Sequence, residues 1–315
     1  MQLLQLRIIP LLLVFLTTSL SAQDLHAQEM RVTLLGTGTP APFADRAGPA
    51  TLIEAGDQSL LIDAGRNVVV RLWQKSIPLR DIDAVFLTHF HHDHINGLAD
   101  LWLTGWLSTD YGQRTVPLNL IGPNGTQQLA DGLTMAYARN AEIRILDEQL
   151  SEESLQFAVQ EFDAPALVYD QGGVQVRAFE VNHGEYITPS VGYRIDYGEH
   201  SVVISGDTTY DIRIAEAAKG VDLLIHEVMA WTEEAMINVP SAPQIAAHHT
   251  TPEQAGQIFS QAEPALAAYS HLILRGVSEA EIESRTRTTY SGPLAIGRDL
   301  MSFVISDQGV DIESP

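Results

Sequence analysis

The segment T-H-F-H-H-D-H at 88–94 constrains this chain more than any other feature. It holds four of the 11 histidines in 315 residues. It follows directly on an apolar run at 83–87, which predicts a buried strand. Side chains alternate in direction along an extended segment, so His89, His91 and Asp93 project to the same side. The fold must therefore accommodate several polar side chains side by side at the end of a buried strand.

The pattern H-x-H-x-D-H predicts ligands for two metal ions. Histidine is the commonest metal ligand in proteins, and the pattern supplies two imidazoles for one ion, then a carboxylate and an imidazole for another. A metal site needs at least three protein ligands, so others must come from distant segments. Three later apolar runs each end in a ligand-type residue, at His183, Asp207 and His271.

These residues complete two sites. The predicted ligands are His89, His91 and His183 for one ion, Asp93, His94 and His271 for the other, and Asp207 as a bridge between them. We expect two Zn²⁺, with Mn²⁺ or Fe²⁺ as accepted substitutes because imidazole and carboxylate sites take several metals. His92 points opposite to His91 and is predicted not to be a ligand.

Strand and helix patterns predict the fold class. Apolar strands come in clusters with helices between them, in both halves of the chain, which indicates two sheets packed face to face with helices outside. The expected class is α/β (α+β), with one domain over 30–310, because no internal repeat or low-complexity linker interrupts the chain. The acidic, weakly patterned stretch at 140–172 is predicted to form short strands and loops.

The charge balance argues against a polyanionic partner. The chain has 18 Lys+Arg against 40 Asp+Glu, a net charge of −22, and nucleic-acid binding needs a Lys/Arg surface that displaces counterions. We therefore expect a small-molecule ester as the substrate and do not expect nucleic acid. The chain has no cysteine, which excludes disulfides, thiolate ligands and cysteine nucleophiles.

Residues 1–22 have the order of a secretory signal. A single positive charge, Arg7, precedes an apolar run at 8–16 and small polar residues at 17–22. The run is shorter than the roughly 20 residues that a bilayer span needs. We expect cleavage near 19–22 and a periplasmic or secreted protein without a membrane span. An uncleaved anchor is the alternative.

The metal motif resembles that of the metallo-β-lactamase-fold hydrolases. H-F-H-H-D-H with the downstream His183, Asp207 and His271 is similar, more narrowly, to the branch that contains ribonuclease Z and the zinc-dependent arylsulfatases. The resemblance includes L-L-G-T-G-T-P (34–40), L-I-D-A-G (61–65), S-G-D-T (205–208) and L-I-H-E (224–227). It implies a four-layer αββα sandwich with two mixed sheets.

The resemblance also implies a proton donor and shows one departure. In this branch a histidine oriented by a glutamate protonates the leaving group, and His249 and Glu227 match that pair, with His248 as the adjacent alternative. A carboxylate that orients an imidazole and raises its pKa makes it a usable acid. Ribonuclease Z usually carries a long, basic, glycine-rich arm that grips tRNA. Here residues 197–200 join the two flanking strands directly.

These observations predict a dinuclear zinc hydrolase in which Asp93 orients the attacking water. The expected substrate is a small ester: an aryl sulfate, a phosphodiester, or a lactone or carboxylic ester. Trp102, Trp106 and Trp231 are expected to line an apolar mouth, although they could simply pack. The alternatives are a ribonuclease Z-like endoribonuclease acting on RNA 3′ ends and a metal sensor without turnover. A homodimer is left open.

Overall fold

A computed structural model describes residues 29–315, and the predicted signal segment lies outside them. The strands are, in chain order, β1 (Met30–Gly36), β2 (Ala50–Ala55), β3 (Gln58–Ile62), β4 (Ala84–Phe86), β5 (Leu118–Pro123), β6 (Phe157–Phe162), β7 (Ala166–Gln171), β8 (Val174–Glu180), β9 (Val191–Tyr197), β10 (His200–Ile204), β11 (Leu223–Trp231), β12 (Leu266–Arg275), β13 (Leu294–Ile296), β14 (Ser302–Ser306) and β15 (Gly309–Glu313).

The helices alternate with these strands. They are α1 (Val68–Gln74), α2 (His92–Ile95), α3 (Leu98–Trp106), α4 (Thr126–Ala136), α5 (Ala138–Glu148), α6 (Glu152–Leu155), α7 (Ile212–Ala217), α8 (Glu233–Asn238), α9 (Ala242–Ala246), α10 (Pro252–Ala262) and α11 (Glu279–Thr286), with a 3₁₀ turn at Leu79–Asp81. Within residues 29–315, no helix combines the length and apolar character that a membrane crossing requires.

Two mixed sheets form the centre of the fold. The first has the order β15-β14-β1-β2-β3-β4-β5-β6, and the second has the order β13-β12-β11-β10-β9-β8-β7. Each sheet changes from antiparallel to parallel pairing, at β3 in the first and at β10 in the second. The predicted four-layer αββα sandwich is confirmed.

Three apolar layers stabilise the sandwich. Strand β10 contributes to two of them, which explains why its residues Val202–Ile204 are all apolar. Val202 and Ile204 face the other sheet, whereas Val203 between them faces α7 and α10. A strand that is buried on both faces needs apolar residues at every position. A third layer packs Leu72 of α1 and Trp102 of α3 against the outer face of the first sheet.

The stretch at 140–172 is more helical than predicted. α5 runs to Glu148 and α6 follows, so only β6 and β7 are strands there. None of the residues of α5 is fully buried, and Ile143 and Leu146 are exposed. Ala141 and Ile145 of α5 pack against the outer apolar layer but are only partly buried, so the apolar stripe that marks an amphipathic helix is narrow here.

The two strands that frame the site are longer than predicted. β11 continues past Ile225 to Trp231, and β12 continues past Tyr269 to Arg275, with Trp231 and Arg275 in register. A register shift near His226 adjusts the pairing of the two strands. His271 therefore lies within a strand instead of at its end, in a local left-handed conformation with φ 45°.

Candidate metal centre

Seven side chains from distant segments converge at one edge of the sandwich. The H-x-H-x-D-H segment follows β4, Asp207 follows β10, and the backbone N–H of Val191 donates to the Thr88 carbonyl across the two sheets at 3.0 Å. The side chains form two groups, each with its ligand atoms within 4.8 Å of one another: His89, His91, His183 and Asp207, and Asp93, His94 and His271. All are buried except His91.

The first group brings imidazole nitrogens unusually close together. His91 Nδ1 lies 3.0 Å from His89 Nε2 and 3.2 Å from His183 Nε2. Asp207 Oδ2 is 3.9 Å from His89 Nε2 and 3.7 Å from His183 Nε2. Burial holds the pKa of His89 well below its usual value and lowers that of His183 to about 4. These imidazoles are therefore neutral near pH 7, the form that binds a metal.

The second group meets the first at Asp207. Asp207 Oδ2 lies 3.3 Å from His94 Nε2 and 3.4 Å from His271 Nε2, and Asp93 Oδ2 lies 3.3 Å from His271 Nε2. Burial works against an ionised Asp93, but the hydrogen bond with His271 and the nearby His94 hold its pKa at about 2. Asp207 Oδ1 is buried and has no hydrogen-bond partner among residues 29–315. This donor set of imidazoles and carboxylates is suited to binding metal, and Asp207 contacts both groups.

A second layer of hydrogen bonds orients the imidazoles. His94 Nδ1 donates to Asp63 Oδ2 at 2.7 Å, and Asp63 also accepts from the backbone N–H and the hydroxyl of Thr88, both at 2.9 Å. His183 Nδ1 donates to the backbone carbonyl of His248 at 2.9 Å. Such bonds fix the tautomer, so that Nε2 faces the metal.

Sequence reasoning did not assign a role to Asp63. The signal was present in L-I-D-A-G, where an aspartate directly follows the apolar run of β3. Asp63 has a φ of 60°, a backbone conformation that is uncommon outside glycine. The contacts of the Asp63 carboxylate with Thr88 and His94 account for an aspartate, and not a glycine, in this backbone conformation.

His249 and Glu227 lie beside the ligand groups and are hydrogen-bonded to each other. His249 Nδ1 donates to Glu227 Oε1 at 3.1 Å. The same oxygen accepts from the backbone N–H of Thr250 at 3.1 Å and of Thr208 at 3.3 Å. Burial works against a charged His249, but the Glu227 carboxylate raises its pKa above the usual value. The pair has the geometry of an oriented proton donor.

One cavity, the site pocket, is lined by four of the seven predicted ligands and by His249. It has a volume of about 510 Å³. His91, Asp93, Asp207, His249 and His271 line its inner end. Part of the remaining lining is an apolar wall with one guanidinium beside it: Trp231, Val239, Ile245, Ile273 and Arg275.

Two of the three tryptophans predicted to line this mouth do not reach it. Trp102 and Trp106 are 1% and 2% exposed and belong to the layer between α3 and the first sheet. Their indole N–H groups donate to the carbonyls of Leu155 at 2.6 Å and Ser151 at 2.9 Å. Both lie on the buried face of α3, which points away from the site. Trp231 does line the site pocket.

The remaining histidines near the site fall outside both ligand groups. His92 and His248 line the site pocket. His226 is fully buried in β11, and its Nδ1 donates to the Glu227 carbonyl at 2.7 Å. Burial lowers the pKa of His226, which keeps it neutral.

Two ligand groups at the edge of an αββα sandwich, joined by one carboxylate, define a hydrolase of the metallo-β-lactamase fold. Residues 58–272 match the family described as "Beta-lactamase superfamily domain". The ribonuclease Z of Mycobacterium bovis is 32% identical over 274 residues, which cover 86% of this chain and 96% of that protein. This chain belongs to the β-lactamase superfamily and, within it, to the ribonuclease Z family.

Solved structures share the fold. The metallo-β-lactamase fold protein YhfI from Bacillus subtilis superposes with a TM-score of 0.69 at 22% identity, over 88% of this chain and 99% of that one. Human tRNase Z, short form, superposes with a TM-score of 0.64 at 21% identity, over 86% of this chain and 98% of that one.

Proposed function

We propose that this protein is a dinuclear metal-dependent phosphodiesterase of the ribonuclease Z type. The relatives that match most of the chain are named ribonuclease Z. These relatives favour the hypothesis of an RNA substrate over that of a small ester, which the net charge of the chain and the short connection at 197–200 suggested. They also weigh against our expectation that nucleic acid is not a partner.

The seven ligands fit two metal ions. His89, His91 and His183 would hold one, Asp93, His94 and His271 the other, and Asp207 would bridge them. Ions bound there would supply Lewis acidity, which activates water and neutralises charge on the attacked group. Zinc is the proposed metal because imidazole-rich sites with carboxylates suit it, and Mn²⁺ or Fe²⁺ remain compatible.

The protein's own groups carry the proton transfers. The Asp93 carboxylate, with a pKa of about 2, stays ionised and can accept a hydrogen bond from the attacking water. The Glu227 carboxylate raises the pKa of His249, which favours its protonated form, and His249 lines the same pocket, so it can donate a proton to the departing oxygen. The hydrogen bond of 3.1 Å between His249 and Glu227, beside the ligand groups, is the observation that carries the proposal.

The test compares phosphodiesters directly. Metal-loaded protein should cleave bis(4-nitrophenyl) phosphate and an RNA with a 3′ extension, and Asp207→Ala should abolish both activities together with metal binding. A protein that binds two metals per chain but cleaves neither substrate would overturn the proposal. Arg139→Met is a matched control, because this exposed residue contacts only Glu142 on α5.

Small-ester hydrolysis is the second candidate, and the apolar wall of the site pocket favours it. Trp231, Val239, Ile245 and Ile273 offer packing surface to an aryl or alkyl group. A screen of a nitrophenyl sulfate, a carboxylic ester and a lactone against the two phosphodiesters would rank the candidates. A kcat/KM for any of the three above those of both phosphodiesters would replace the first candidate.

A further inference from the structure

Arg275 is the one arginine in residues 29–315 whose guanidinium has neither a carboxylate within 4.0 Å nor a hydrogen bond. In a chain with a net charge of −22, partners for arginine are plentiful. Arg66 and Arg114, which also lack a carboxylate, still donate to backbone carbonyls. Arg275 is exposed on the wall of the site pocket, so water solvates its guanidinium in the free protein and an anionic group of a ligand can replace that water.

The strand geometry sets Arg275 at the outer end of the pocket. His271, Ile273 and Arg275 alternate along β12, and all three line the site pocket. A strand rises about 3.3 Å per residue, so the Cα atoms of His271 and Arg275 are up to about 13 Å apart. Arg275 therefore lies further out along the pocket wall than His271, where a different group of the same substrate can contact it.

Trp231 holds the guanidinium in place. It pairs with Arg275 in the register of β11 and β12, and the Arg275 Cζ atom lies 5.5 Å from the centroid of the Trp231 ring. A cation over an aromatic face is attracted to it. The guanidinium N–H groups of Arg275 make no hydrogen bond within residues 29–315, and guanidinium N–H groups bind phosphate in a fork geometry.

We propose that Arg275, which lies over the Trp231 ring, binds a second phosphate of the substrate. The pocket would thereby prefer a nucleotide chain with at least two phosphates over an ester with only one. This inference rests on the proposed function and makes Arg275 a specificity-determining residue. Trp231 is then its positioning residue.

The test compares a trinucleotide, which has two phosphodiesters, with a dinucleotide, which has one. Arg275→Met removes the charge and keeps a long apolar side chain over Trp231. We expect KM for the trinucleotide to rise about tenfold and KM for the dinucleotide to rise at most twofold. Each phosphate contact to a single strand contributes about 0.7 to the slope of log K against log salt, so the variant should lose about that much for the trinucleotide. Arg275→Lys should keep the slope.

A binding measurement separates this inference from the proposed function. The affinity of metal-loaded protein for a fluorescent trinucleotide can be measured by anisotropy whether or not the RNA is cleaved. Equal affinity of the wild type and Arg275→Met, or equal KM changes for both substrates, would overturn the inference. Arg139→Met removes the same charge far from the pocket and should change neither. If it weakens binding as much as Arg275→Met, net charge is the cause and Arg275 has no special role.

Discussion

Replacing His249 by alanine should slow hydrolysis in proportion to the leaving group's need for a proton. General acids typically contribute about 10²–10⁴-fold, which is about 3–5 kcal/mol of barrier. An alkoxide of high pKa needs the proton, whereas nitrophenolate leaves well without it. We therefore expect a loss in that range for an alkyl phosphodiester and a loss below about tenfold for bis(4-nitrophenyl) phosphate.

The expected effect of Glu227→Gln on the rate of hydrolysis follows from the contacts of Glu227. Its Oε1 accepts from His249 and from the backbone N–H groups of Thr250 and Thr208. A glutamine oxygen can keep these three bonds but loses the charge that raises the pKa of His249. We therefore expect a smaller loss than for His249→Ala on the alkyl substrate, with the same leaving-group dependence.

The assay measures kcat/KM on both substrates, with metal content determined for each variant. His249→Ala should keep its metals, whereas His271→Ala should lose metal and slow both substrates alike. His248→Ala is the matched neighbour: it removes an adjacent pocket imidazole but keeps the backbone carbonyl that accepts from His183. Equal losses of His249→Ala on the two substrates would refute acid catalysis. Loss of metal in that variant would make His249 a ligand.

Four further outcomes are expected. Metal analysis after zinc supplementation should find close to two ions per chain, and less than one would contradict the dinuclear site. Asp63→Ala should weaken metal binding about 10–100-fold, because second-layer partners of ligating histidines have that effect, and an unchanged metal affinity would refute its role. Trp102→Ala should cost about 3–5 kcal/mol in the free energy of unfolding, measured by denaturant titration, while Trp231→Ala raises KM without a comparable loss. Mass spectrometry of the protein from its native host should find an N-terminus near residues 20–28 if the predicted signal is cleaved, and an intact Met1 would contradict cleavage.

The ligand groups were accessible to sequence reasoning because each ligand follows an apolar run. The H-x-H-x-D-H segment, His183 and Asp207 come directly after or within a few residues of β4, β8 and β10. Strand ends in a two-sheet sandwich collect at its edges, so the chemistry of the residues was enough to group them. The same reasoning grouped His271 with them by placing it at a strand end. In the structure its strand continues to Arg275 past a register shift between β11 and β12, which the sequence does not reveal.

The tryptophans show what the sequence leaves undetermined. The apolar residues of α3 include Trp102 and Trp106, and proximity in sequence to the metal segment suggested a pocket wall. A helix has only one buried face, and here that face carries both indoles against the first sheet. Which face a helix turns inward depends on the sheet it packs on, and that information is spread over distant strands.

Net charge is a weak guide to the substrate for a related reason. A charge of −22 belongs to the whole chain, but surface charges are screened beyond about 8–10 Å at physiological salt. The site pocket contains the uncommitted Arg275, and two divalent ions would outweigh the carboxylates of Asp93 and Asp207 that hold them. A locally positive pocket on an acidic protein can bind a short stretch of phosphates, although it offers no extended basic surface to a long duplex. We therefore expect affinity for RNA to rise with length only until the pocket is filled. A continued increase beyond three or four nucleotides would mean that another surface contributes to binding.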